Sequence, residues 1–283
     1  LRIEDVVALS LRQRPVQLSA DTVFRRRIAK GAEFLDRLLA EDGVIYGVTT
    51  GYGDSCTVSI PPELVPELPH HLYAYHGCGA GRMLSPQETR AVLAARLASL
   101  SQGMSGVSVG LLEQIARLLQ HDVLPQIPAE GSVGASGDLT PLSYLAAVLC
   151  GEREVLFEGQ VRPAAEVLQT LGIQPLRLRP KEGLAIMNGT AVMTAMACLA
   201  WSRANYLCQL ATRITAMNVL ASAGNAHHFD EALFAVKPHA GQQLVARRIR
   251  EDLASGRPRR NEQRLQDRYS LRCAPHVLGV LQD

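Results

Sequence analysis

The sequence predicts a mainly α-helical fold, in which an N-terminal mixed domain with short strands leads into a bundle of long helices. Three observations carry that expectation. Helix-start signals recur through residues 85–141. From Ala191 to about Ala223 the chain is nearly uncharged and apolar on most sides, as a helix in the middle of a large bundle must be. Arg153–Arg162 has the look of a short hairpin. The boundary falls at residue 190, with 1–190 as the N-terminal domain and 191–283 as the start of the bundle.

The elements follow in order. Ser85-Pro86-Gln87-Glu88 combines an N-cap serine, proline at the first helical position and a glutamate that closes a capping box. Val92, Leu93, Leu97 and Leu100 give that helix an apolar face, and Gly103 ends it. A second helix runs near Gly110–His121, with Leu111, Leu112, Ile115, Leu118 and Leu119 on one face, until Pro125 and Pro128 break the pattern. Thr140-Pro141 restarts helix. The hairpin turns at Glu158-Gly159, and a short helix spans about Ala164–Leu171. Ser255–Arg268 is basic through Arg257, Arg259, Arg260, Arg264 and Arg268. Without interleaved aromatics it reads as a solvated loop rather than a nucleic-acid patch.

Composition narrows the function. Of 283 residues, 47% are apolar, enough for a sizeable core, and the net charge of +2 points to neither nucleic acid nor acidic lipid. Six cysteines at 56, 78, 150, 198, 208 and 273 form no Cys-x-x-Cys pair and no zinc-type His spacing. Most sit among apolar neighbours, which predicts buried free thiols and a reducing, cytoplasmic compartment. The first residues lack a signal-peptide pattern, and the apolar run Ala191–Trp201 is too short to span a bilayer, so a soluble protein is expected.

Residues 131–142, Gly-Ser-Val-Gly-Ala-Ser-Gly-Asp-Leu-Thr-Pro-Leu, carry the most specific chemistry. Within Ala135-Ser136-Gly137 the Gly137 amide nitrogen can attack the Ala135 carbonyl and close a five-membered ring. Loss of one water on ring closure and of a second from Ser136 leaves an exocyclic methylidene. The product is methylidene-imidazolone (MIO), an electrophile that no ordinary side chain supplies. Glycine is needed at 137 for the unusual backbone angles and close approach. The tripeptide lies at a loop-to-helix junction, where free N–H groups and a positive dipole end favour developing negative charge.

This stretch closely resembles the signature of the histidine, phenylalanine and tyrosine ammonia-lyases. Tyr46-Gly-Val-Thr-Thr-Gly-Tyr-Gly53, Asn188-Gly-Thr190 and Gln266-Asp-Arg-Tyr-Ser-Leu-Arg-Cys-Ala-Pro275 match that family in the same order. The resemblance covers nearly the whole chain and implies the N-terminal half of such an enzyme, a homotetramer that needs no external cofactor and no metal. It also implies that the remainder of the bundle, and further active-site residues, lie outside the sequence. In the tetramer Tyr46, the electrophile loop and Asn188 would not all share a subunit with Tyr269 and Arg272.

The resemblance gives the residues roles. Tyr46 matches the catalytic tyrosine, the base that removes the substrate's β-proton. With a reference pKa of about 10, it needs a site that stabilises its anion. Its glycine-rich surroundings suit a mobile lid and lack the Gly-Lys-Ser/Thr ending of a phosphate loop. Arg272, a planar guanidinium among Leu271, Cys273 and Ala274, is the candidate carboxylate clamp. Tyr269 assists the electrophile's site, and Gln266 hydrogen-bonds around it. Asn188 resembles the asparagine that contacts the prosthetic group and substrate, though it could equally cap a helix. Asp138 either orients the cyclising loop or caps the next helix.

Substrate choice in the family is read at two adjacent positions, here Tyr75-His76 within Leu68–Gly81. Histidine at the second position resembles histidine ammonia-lyases, while Tyr75 departs from their usual serine. Two polar rings favour imidazole or phenol over plain phenyl, because a buried polar group left unpaired costs about 1–3 kcal/mol. His70, His71 and His76 lack a carboxylate among them, which argues against a metal. Gly106-Val-Ser108-Val-Gly110 fits the nucleophile elbow of hydrolases, but a helix rather than a strand precedes it. The expected activity is therefore ammonia elimination from an aromatic L-amino acid, histidine to urocanate or tyrosine to coumarate. An aminomutase using the same electrophile, and an inactive helical fragment, are the alternatives.

Overall fold

A computed structural model describes residues 1–41, 43–133, 136–256 and 260–283. The chain divides into two compact units, Leu1–Leu199 and Ala200–Asp283. Ala135 of the tripeptide expected to cyclise, and Arg257 and Arg259 of the basic loop, lie outside the described residues.

The first unit opens with α1 (Ile3–Ser10) and α2 (Thr22–Ala40), followed by a short 3-10 turn at Gly53–Thr57 and α3 (Leu68–His76). Strand β1 (Ala80–Met83) precedes α4 (Pro86–Leu100) and α5 (Val109–Gln120). Strands β2 (Leu124–Pro125) and β3 (Pro128–Glu130) lead to α6 (Leu139–Leu149). After the hairpin β4 (Glu154–Phe157) and β5 (Gln160–Pro163) come α7 (Ala164–Thr170), α8 (Glu182–Met187) and α9 (Ala191–Ala221). The strands form two small antiparallel sheets, β1-β3 and β2-β4-β5.

Local sequence chemistry explains the helix ends. Ser85 Oγ accepts from Glu88 N–H at 3.3 Å while Glu88 Oε2 accepts from Ser85 N–H at 2.7 Å, a reciprocal capping box. Ser108 caps α5 by accepting from Leu111 N–H at 3.2 Å, so the Gly-x-Ser-x-Gly serine is a helix cap. The hairpin turns where expected, with Glu158 and Gly159 both at positive φ. Helices α4, α5 and α6 supply the centre of the core: Val92, Leu93, Leu100, Leu111, Leu112, Ile115, Leu142 and Leu145 are fully buried. Helix α6 is buried from Thr140 to Leu149, which makes it a rigid floor for the loop that precedes it.

Helix α9 runs on well past the apolar stretch that was expected to be too short for a bilayer. By length and composition alone, Glu182–Ala221 could cross a membrane, a test that core helices of soluble proteins also pass. The only charges between 191 and 221 are Arg203 and Arg213. In the second unit, α10 (Glu231–Ala235), α11 (Ala240–Gly256), α12 (Tyr269–Arg272) and α13 (Ala274–Gln282) follow. Its small core gathers Val219, Phe229, Val245, Ile249 and Leu253. Helices α11 and α13 approach closely at two glycines: a Cβ on Gly279 would lie 2.5 Å from the Gln242 backbone nitrogen.

All six cysteines are free, yet only Cys198 and Cys208 are buried. Cys56 and Cys78 are exposed, which corrects the expectation that most are buried. Apolar neighbours along the chain do not bury a residue that sits in a surface loop.

Candidate functional site

The first unit contains a cavity of about 810 Å³ whose wall includes Tyr46, Tyr75, His76, Ser136 and Asn188. That size suits a small organic ligand. Each residue is delivered by a different stretch of chain. Tyr46 opens the glycine-rich loop before the 3-10 turn, Tyr75 and His76 end α3, Ser136 lies just ahead of α6, and Asn188 follows α8.

The loop at 46–53 folds back on itself. Thr50 Oγ1 accepts from Gly47 N–H at 3.1 Å, and the Tyr46 hydroxyl accepts from Gly53 N–H at 2.8 Å. Gly47 takes a φ of +66°, and a Cβ there would lie 2.8 Å from the Tyr52 ring. Tyr46 is half exposed. Tyr52 also lines the cavity, but its hydroxyl is buried and has no partner among the described residues. Burial, with Tyr46 nearby, pushes the Tyr52 phenol up to about 12, so it stays neutral. Two tyrosines of one motif thus have different environments, and only Tyr46 has an N–H aimed at its oxygen.

At the end of α3, His76 Nδ1 lies 2.8 Å from the Leu72 carbonyl oxygen. Only a protonated Nδ1 can make that bond, so in the neutral ring Nε2 is an acceptor. The next loop is fixed from behind. Arg153 donates to the Gly77 carbonyl at 3.3 Å and stacks 4.3 Å from the Tyr144 ring centre. The Tyr144 hydroxyl accepts from Gly79 N–H at 3.1 Å.

Ser136 donates to Asn188 Oδ1 at 3.1 Å. Asn188 is the C-cap of α8, and its Nδ2 donates to Leu184 O at 3.3 Å. It does not cap α9. That role belongs to Asp138, whose Oδ2 accepts from Val192 N–H at 2.6 Å while making no cap bond to α6, the helix it immediately precedes. Asn188 is thus a helix C-cap, and Asp138 caps α9 rather than α6. Gly137 is constrained as well, because a Cβ there would lie 2.7 Å from Ser132 Oγ.

Gln266, Tyr269 and Arg272 belong to the second unit. Gln266 and Tyr269 are exposed, whereas Arg272 is half-buried, stacks 5.0 Å from the Tyr269 ring, and has an Nε without a partner among the described residues. The segment carrying them is pinned at Asp267. The Asp267 carboxylate accepts from Asn225 N–H at 2.7 Å, and its own N–H donates to His228 Nε2 at 3.0 Å. Among the described residues, no group of three His, Cys, Asp or Glu side chains could hold a metal ion.

Sequence reasoning missed Tyr52, His71 and Leu184 in the cavity wall. Tyr52 was within reach, since it stands in the same glycine-rich motif as Tyr46. It also missed Arg96, the one charge in the apolar run Ala91–Leu100, which lies beneath the Asn188 corner.

A sequence model described as aromatic amino acid lyase matches residues 1–283. The histidine ammonia-lyase of Bos taurus is 38% identical over all of this chain and 44% of its own length. That of Sorangium cellulosum is 39% identical over all of this chain and 56% of its own. Among solved structures, a tyrosine aminomutase from Streptomyces globisporus superimposes with a TM-score of 0.89 at 33% identity, covering 100% of this chain and 57% of that one. The chain thus spans about half the length of the relatives it matches.

Proposed function

Because this chain belongs to the aromatic amino acid lyase family, we propose that it carries the N-terminal half of an enzyme that eliminates ammonia from an aromatic L-amino acid. The observation that carries this reading is the meeting of Ser136 with Asn188, 3.1 Å apart, in one cavity with Tyr46 and His76.

The residues present fit a self-formed methylidene-imidazolone. Ser136 presents a hydroxyl that could be lost as water, and Gly137 packs closely against Ser132, whose hydroxyl would have to turn aside for a larger residue. Such a group supplies an electrophilic carbon that turns an amino group into a better leaving group. Ser136, Gly137 and Ala135 would form it, with Asn188 holding the serine end.

The remaining work falls to side chains. Tyr46 removes the β-proton, and the Gly53 N–H supports the negative charge that a phenolate base carries. Tyr52, held neutral, does not compete for that role. His76 Nε2 accepts from a ring donor, which an imidazole N–H or a phenol O–H supplies and a phenyl ring does not. With Tyr75 beside it, histidine is the favoured substrate and tyrosine the alternative. Arg272 clamps the carboxylate through two hydrogen bonds, assisted by Tyr269 and Gln266.

We further read a homotetramer, in which Gln266, Tyr269 and Arg272 of one copy would complete the cavity of another. In the second unit's part of α9, Tyr206, Leu207, Leu210, Ile214 and Met217 form an exposed apolar stripe at helical spacing, which supports burial against further helices. The free thiols fit a cytoplasmic setting, and no membrane or nucleic-acid role is invoked.

The test is Ser136→Ala. We expect the wild type to have lost two waters by intact mass and to release ammonia, and the variant to do neither. Ammonia release by the variant at the wild-type rate overturns the proposal. The similarity to a tyrosine aminomutase favours a second reading, in which the amine returns to the β-carbon; a β-amino acid product would establish it. An inactive fragment is the third, since the relatives are about twice as long. It predicts a monomer on size-exclusion chromatography with no ammonia release.

A further inference from the structure

Asn188 sits at a corner. Helix α8 ends at Met187, Asn188 is extended, Gly189 takes a φ of +140°, and α9 begins at Ala191. The last carbonyls of a helix have no partner within it and must find one elsewhere. Here the partner is Arg96 of α4. Its guanidinium donates through Nη2 to the carbonyl oxygens of both Ala185 and Asn188. Arg96 is only 3% exposed and does not line the cavity.

Burying a guanidinium is costly unless its charge and its donors are met. Two features offset part of that cost, although the Arg96 Nε is buried without a partner among the described residues. The two carbonyls lie at the negative end of α8. The Asp138 carboxylate acts on Arg96 electrostatically in the favourable direction. Burial lowers Arg96 to about 10, which still leaves it protonated at neutral pH. Position 189 is shaped around the group, because a Cβ on Gly189 would lie 2.5 Å from Arg96 Nη1. The corner is held from the other side by Asp138, which binds Val192 N–H two residues beyond Thr190. The Asn188 carbonyl is therefore held by Arg96 and the start of α9 by Asp138, neither of which lines the cavity, while the Asn188 side chain reaches Ser136.

We propose that Arg96 is a positioning residue: by holding the Asn188 and Ala185 carbonyls, it sets the Asn188 amide where it can receive Ser136 and, later, substrate. This rests on the reading of residues 135–137 as a self-forming electrophile. Misplacing a reacting partner by about 1 Å can cost about 100-fold in rate. Lysine at 96 keeps the charge, but its shorter side chain does not bring an N–H donor to the position that Nη2 holds between the two carbonyls.

The experiment compares wild type, Arg96→Lys and Gly189→Ala in the full-length protein. Three quantities are read: melting temperature, the fraction that has lost two waters by intact mass, and kcat per cyclised site. We expect both variants to lower kcat per cyclised site by about 10- to 100-fold, with incomplete water loss. A purely structural role would lower the melting temperature and leave kcat per cyclised site unchanged, and that outcome overturns the inference. Wild-type protein that loses no water overturns this inference together with the electrophile reading. Gly189→Ala also strains the backbone at a φ of +140°, so it is read beside an Arg96 variant; if Arg96→Lys does not fold, Arg96→Gln, which keeps an N–H donor and loses the charge, takes its place.

Discussion

Asp138 Oδ2 accepts the Val192 N–H at 2.6 Å, so a residue of the loop that carries Ser136 caps the helix that follows Asn188. The contact spans 54 positions in sequence and joins the two segments that meet at Ser136 and Asn188. A carboxylate at a helix start satisfies an orphan N–H and meets the positive end of the helix dipole. Because Asp138 is also buried near Arg96, its loss removes a cap and a counter-charge together. Asp138→Ala should cost at least the roughly 0.5–2 kcal/mol of a lost cap. Differential scanning calorimetry checks this; an unchanged melting temperature would show that the contact contributes nothing.

The two tyrosines of the 46–53 motif sit in different surroundings, which lets the proposed base be tested against its neighbour. Tyr46→Phe removes the oxygen that accepts from Gly53 N–H, and with it the proposed base. It should lower kcat by about 100- to 10,000-fold, the usual worth of general base catalysis. Tyr52→Phe removes a buried hydroxyl that has no partner among the described residues. It should leave stability unchanged or slightly raised, because the hydroxyl's desolvation is no longer incurred. Steady-state kinetics and melts on both variants test the assignment, and reversed kinetic effects would transfer the base role to Tyr52.

Much of this was legible in the sequence, for local reasons. The Ser85–Glu88 capping box, the hairpin at Glu158-Gly159 and the start of α6 depend on residues within one or two turns, and each appears where its chemistry requires. Tyr46, Tyr75, His76, Ser136 and Asn188 were legible through motif resemblance, and the fold gathers them on one wall. What stayed hidden depends on distant pairing. Nothing near Asp138 reveals that its partner is Val192, and nothing near Arg96 reveals that it serves carbonyls 89 and 92 positions away. The expectation that most of the cysteines are buried failed for the same reason, since burial is set by tertiary packing rather than by sequence neighbours.

Glu88 links the first unit to acid stability. Its carboxylate is held down to about 2, first by the Arg82 guanidinium and also by Ser85. A carboxyl whose folded value lies below its ordinary 4.5 adds stability that is present above that value. The contribution fades as pH falls from about 4.5 towards 2. Glu88→Gln, which cannot ionise, should flatten the melting temperature across that interval. Identical pH profiles for wild type and variant would refute the linkage.

His228 sets a second pH dependence, in the unit that carries Tyr269 and Arg272. Its Nε2 accepts from Asp267 N–H, so the ring must be neutral at that nitrogen. Burial lowers its pKa from the ordinary 6.5, helped by neighbouring His227 and Arg272 and opposed by the Asp267 carboxylate 3.9 Å away. A histidine lowered on folding takes up its proton more readily when unfolded. Its contribution is therefore complete above pH 6.5 and is lost as pH falls below that value. Protonation would also turn the acceptor for Asp267 N–H into a donor, loosening the segment that holds Arg272. Melts recorded from pH 8 to pH 5 should show a decline that His228→Gln, whose amide oxygen can accept the same N–H without titrating, largely removes. A decline of equal size in that variant would assign the effect to other groups.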